Sequence, residues 1–119
     1  MPVLAELGSW LGEGRSIVAG DFNNSVIWDK AGGRYNFADI NSLLGRLGLE
    51  SAYHAHTAES PGQESNHTYF HTKNLTKGFH IDYCFVHRSI PVAAVSVPKY
   101  SDWRTESDHV PLIIDVNDG

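Results

Sequence analysis

The sequence predicts an α/β domain: one mixed β-sheet with helices on one face. Three observations carry this. Apolar residues recur first at helical spacing, then as a strand, then as a helix, then as three or four strands. The 119 residues suit one domain and no more. A composition 41% hydrophobic, 11% aromatic and 19% charged can fill a core and excludes a disordered chain.

Val3, Leu4, Leu7, Trp10 and Leu11 share one helical face over residues 2 to 12, and Gly12 and Gly14 stop that helix. Ser16 to Gly20 is a short apolar run that ends on Asp21-Phe22-Asn23-Asn24, as a buried strand does when it delivers polar groups at its end. Phe37, Ile40, Leu43, Leu44 and Leu47 form a second helical face, closed by Gly45 and Gly48. Residues 51 to 66, rich in Ser, His, Glu and Gly, read as a long surface loop. Strand patterns follow at 67 to 72, 79 to 87, 92 to 97 and 110 to 116, the last with Pro111 near its start. There are no repeats and no interdomain linker.

Nine basic residues against 14 acidic ones leave a net charge of −5. Such a chain does not hold nucleic acid by a broad basic surface, so phosphate must be met locally, with a metal ion as the positive charge. No apolar run approaches the roughly 18 residues of a membrane span. The lone cysteine, Cys84, and a start lacking signal-peptide features set the expectation of a cytoplasmic protein.

Three short motifs place polar residues beside apolar strands: Gly20-Asp21-Phe22-Asn23, Ile81-Asp82-Tyr83 and Ser107-Asp108-His109. A carboxylate in a strand as apolar as 79 to 87 needs a partner, and histidine is a natural one. Asp21 and Asn23, two apart on an extended segment, share one side. The set equips metal-assisted hydrolysis of a phosphate ester: a carboxylate for water, an amide for a phosphate oxygen, and an Asp-paired histidine.

These motifs, in this order, resemble the C-terminal half of the endonuclease/exonuclease/phosphatase superfamily, the deoxyribonuclease-I-like proteins. The helix at 37 to 47 followed by Gly48-Leu49, and Thr68-Tyr69, resemble it too. The resemblance implies half of a four-layer α/β sandwich, with the N-terminal half and its metal-binding glutamate absent. It implies a phosphodiesterase or nuclease dependent on Mg²⁺ or Mn²⁺. Carried over by position, Asp21 orients or deprotonates water and Asn23 binds the scissile phosphate. His109 contacts or protonates a phosphate oxygen, with Asp82 as its partner. Asp108, with Asp21 and Asn23, lies on the metal side, and Thr68 is a candidate substrate contact. The alternatives are a phosphomonoesterase acting on a small phosphorylated molecule and a catalytically silent half-domain that acts only in assembly. For this chain alone, weak or no turnover is expected.

Other residues read plainly. His54-Ala55-His56 belongs to a solvated loop, and no cluster of soft ligands invites zinc. Cys84 is a packing residue. Of Trp28 and Trp103, both in loops near the motifs, one is expected to line the substrate cleft. The partners are a phosphate-ester substrate, nucleic acid among the options, and no membrane. Helices at 2 to 12 and 37 to 47 cover one sheet face, so the bare second face is expected to pack on another copy as a homodimer.

Overall fold

A computed structural model describes residues 15–117; the helix expected at 2 to 12 lies outside them. Strand β1 (Ile17–Asp21) leads through a 3-10 turn (Val26–Trp28) to helix α1 (Phe37–Arg46). Then come β2 (Leu49–Ser51), α2 (Ala52–Thr57), β3 (Tyr69–Phe70) and β4 (Gly78–Phe79). The chain closes with β5 (Asp82–His87), β6 (Val92–Ser96) and β7 (Ile113–Val116).

The α/β class holds, but the strands are divided differently from the single mixed sheet. Among the described residues there are three small sheets, β1-β5-β2, β3-β4 and β6-β7, with every ladder antiparallel. The unit β1-α1-β2 runs as a crossover would. However, β5 inserts between its two parallel strands and pairs antiparallel with each.

Helix α1 forms where its pattern predicts. Phe37, Ile40 and Leu44 are buried against Leu49, Tyr83 and Phe85. The Phe37 and Tyr83 rings stack with centroids 4.4 Å apart. Its first turn is capped from a distance, because Asp29 accepts hydrogen bonds from the Phe37 and Ala38 N–H groups at 2.6 and 3.0 Å. Gly48, at φ +89°, makes the turn into β2, and a Cβ there would lie 2.7 Å from the His87 ring.

Alternation along β5 sends Tyr83 and Phe85 to the α1 side and Cys84 and Val86 to the other. The expectation that helices cover one face only is therefore corrected. Ala52 of α2, with Ile90, packs on Cys84 and Val86, joined by Val92 and Val95 from β6 and by Leu112 and Ile114. This second face is partly covered from within the chain. Across β1 it opens: Ile17 is 49% exposed.

Two segments depart from their sequence patterns. The run 79 to 87 is two strands, because the chain leaves β3-β4 at His80–Ile81 and enters the larger sheet at Asp82. The supposed loop 51 to 66 contains α2, capped by the Ser51 hydroxyl and anchored by buried Ala52 and Tyr53. A six-residue helix with a single large apolar anchor is too short to show a period.

Candidate active site

The end of β1 and the start of β5 are held side by side. In the antiparallel register Asp21 stands opposite Asp82, so two carboxylates face each other across the ladder. Like charges in that position repel. His109 stands beside both: its Nδ1 donates to Asp82 Oδ2 at 2.8 Å, and its Nε2 lies 3.8 Å from Asp21 Oδ2. The second separation is too long for a hydrogen bond, leaving Nε2 free to meet another molecule.

The backbone explains why His109 arrives there. The segment after Ser107 pairs with the β3 region: the Phe70 N–H donates to the Asp108 carbonyl, and the Val110 N–H to the Thr68 carbonyl, both at 2.8 Å. The Ser107 hydroxyl accepts from the His109 N–H at 3.0 Å. The Tyr69 ring lies against the imidazole, with centroids 4.9 Å apart. Asp82 is placed from the same hub, since Thr68 Oγ1 accepts from the Ile81 and Asp82 N–H groups at 3.1 and 3.2 Å. One threonine thereby ties the carboxylate's strand to the histidine's segment.

Asp21, Asp82 and His109 line one cleft of about 870 Å³, together with Trp103 and Ser107. Its remaining wall is apolar, including Ile17, Ala19, Cys84, Leu112 and Ile114. Of the two tryptophans considered, Trp103 lines the cleft; Trp28 packs on Phe79 instead, at 5.2 Å. Gly20, in β1 immediately before Asp21, has φ +147°, a conformation that favours glycine.

Three expected site residues stand elsewhere. Asn23 is exposed, outside the cleft lining, in a left-handed conformation at φ +49°; its N–H donates to Asp21 Oδ1 at 2.7 Å. It shapes the carboxylate's turn. Asp108 lies outside the group formed by Asp21, Asp82 and His109 and contributes a backbone carbonyl to the β3 pairing. Thr68 is 0% exposed, so it has no surface to offer a substrate; the candidate contact is corrected to a positioning residue.

Ligand atoms of Asp21, Asp82 and His109 all lie within 4.8 Å of one another. Two carboxylates, one of them half-exposed, and an imidazole could together hold a divalent ion. Cys84 is buried, and burial pushes its thiol pKa up, in keeping with packing.

The sequence reading missed Tyr69 as the ring supporting His109, although it adjoins Thr68. It also missed a partly buried group of His54, Glu64 and His80, because these come from three segments with no common motif. Among the described residues no helix is long and apolar enough to cross a membrane. Comparison with protein-family models, with curated proteins and with solved structures finds no match for this chain.

Proposed function

We propose that this chain is a divalent-metal-dependent phosphoesterase, acting as a phosphodiesterase of nuclease type. The observation that carries the reading is the 2.8 Å hydrogen bond from His109 Nδ1 to Asp82, with Asp21 across the ladder and all three in one cleft. On this reading Asp82 holds the imidazole with Nε2 toward the cleft. The protonated ring then donates from Nε2 to a phosphate oxygen. Asp21, fastened by the Asn23 N–H, orients the attacking water and accepts its proton. Asp21 and Asp82 would hold Mg²⁺ or Mn²⁺, which when bound offsets charge on the phosphate oxygens. Trp103, 37% exposed at the cleft edge, offers a flat surface to a base or other planar group of the substrate. The same reading makes the chain half of a four-layer α/β sandwich; α1 packed on one face of β1-β5-β2 supports it.

Hydrolysis of bis(p-nitrophenyl) phosphate, with and without Mg²⁺ or Mn²⁺, tests the proposal. A metal-dependent rate is expected, falling about 10²- to 10⁴-fold in Asp21→Ala and His109→Ala. An Asp21→Ala protein retaining half the rate would remove Asp21 from the chemistry. A folded chain with no rate above blank would favour an assembly module over an enzyme.

A further inference from the structure

Behind the β4–β5 break lies a second group of ionisable side chains, separate from the cleft. His54 on α2, Glu64 in the following loop and His80 each offer a ligand atom, and these atoms all lie within 4.8 Å of one another. His80 is buried at 3% exposed, and His54 and Glu64 are partly buried, with side chains 10% and 5% exposed.

The hydrogen bonds around the rings assign their protons. His80 Nδ1 lies 3.0 Å from the Asn66 carbonyl, which only accepts, so Nδ1 carries the proton. In the neutral ring Nε2 is then a bare lone pair. It is fully buried and has no hydrogen-bond partner. His54 is held from both sides, with Nδ1 2.6 Å from the Ser51 hydroxyl and Nε2 2.6 Å from Glu64 Oε2. Glu64 also accepts from the Gly62 N–H at 3.1 Å.

This is the arrangement a metal ligand set requires. Each imidazole has one nitrogen tied to a carbonyl or hydroxyl, which fixes the ring; the other is a bare lone pair in His80 and meets Glu64, a fellow ligand, in His54. Two imidazoles and one carboxylate are ligands for zinc, which accepts nitrogen and oxygen together; Mg²⁺ and Ca²⁺ favour oxygen alone. An isolated hydrogen-bonded network would leave the His80 lone pair unsatisfied, at a real desolvation cost. The walls are aromatic, with the Tyr53 ring 4.6 Å from His80 and Tyr83 stacked at 6.2 Å from His54.

We propose that His54 Nε2, Glu64 and His80 Nε2 bind one Zn²⁺ ion, which displaces the proton from between His54 and Glu64, the His54 ring then carrying its proton on Nδ1 and donating it to the Ser51 hydroxyl. The ion fastens α2 and the 58–66 loop to the chain just ahead of Asp82. Its role is structural, because none of the three residues lines the cleft.

Zinc titration of metal-stripped full chain, followed by calorimetry and thermal unfolding, tests this. One equivalent should bind and raise the melting temperature, while Mg²⁺ at the same concentration should do neither. Asp21→Ala should bind zinc as the wild type does. His80→Gln and Glu64→Gln should each weaken binding by about 100-fold or more. Should these variants fail to fold, Co²⁺ added to the wild type gives an independent readout: intense visible absorption from a low-coordinate site. Absence of both zinc binding and that absorption would overturn the proposal. So would stoichiometric zinc that survives in His80→Gln but is lost in His109→Ala.

Discussion

Asp21 and Asp82 illustrate how a single pair of residues constrains what surrounds it. Opposed carboxylates on neighbouring strands are unfavourable, yet here a histidine stands against both, and the cost is offset by one hydrogen bond and a nearby cation-capable ring. Asp82→Asn should leave the strand intact while allowing the His109 ring to take the wrong tautomer. The expected signature in the phosphodiester assay is a loss of turnover by about 10²-fold or more, with little change in melting temperature. Equal losses of rate and of folded protein would instead make the pair structural. Cys84 gives a simpler test. Its thiol is buried and its pKa raised, so the thiolate fraction at pH 8 is small. Ellman's reagent should label it slowly in the native chain and rapidly in urea; rapid labelling of the native chain would contradict its burial.

At the scale of elements, the decisive feature is the break between β4 and β5. A strand pattern covering 79 to 87 was legible, but not where it changes sheets. The change depends on Thr68, whose hydroxyl takes up the two N–H groups released at Ile81 and Asp82. Thr68→Val keeps the volume and removes the acceptor, stranding those donors in the interior. A loss of about 2 kcal/mol or more is expected in urea unfolding, with Thr68→Ser restoring most of it. A change below about 0.5 kcal/mol would mean that the break is held by other contacts. Helix α2 and its loop depend in the same way on partners six to ten positions away. Tyr53 donates to Glu59, Ser65 donates to that same carboxylate, and His54 meets Glu64. Glutamates in a Ser- and Gly-rich stretch look solvated until these partners are known.

For the whole molecule, the partly covered second face sets the expected oligomeric state. The β6-β7 side covers Cys84 and Val86, but Ile17 and Val116 are 49% and 39% exposed. A second copy packed on this apolar strip would form the homodimer anticipated from the strand pattern. Sedimentation at low micromolar concentration should then show a dimer, with a contact above about 1,200 Å² in total. Ile17→Lys should shift it to monomer while leaving the fold unchanged. A wild-type chain sedimenting as a folded monomer would rule this interface out.

Local chemistry was sufficient to determine several features before any tertiary contact was known. The periodicity of Phe37, Ile40 and Leu44 specifies α1 and its buried face, and the apolar run before Asp21 specifies β1. The need of Asp82 for a partner, with the family resemblance, pointed to His109. Each depends on side-chain types within a few residues or on a buried charge that must be satisfied. Tertiary structure alone decided that β5 lies between β1 and β2, that Thr68 faces inward, and that Asp108 and Asn23 act through their backbones. It also gathered His54, Glu64 and His80 behind the sheet. Apart from the Asn23–Asp21 contact, those outcomes turn on contacts between residues ten or more positions apart, and on which hydrogen-bond partner a buried group finds when the chain closes. A hydrophobic pattern records burial, but it does not record the identity of the partner.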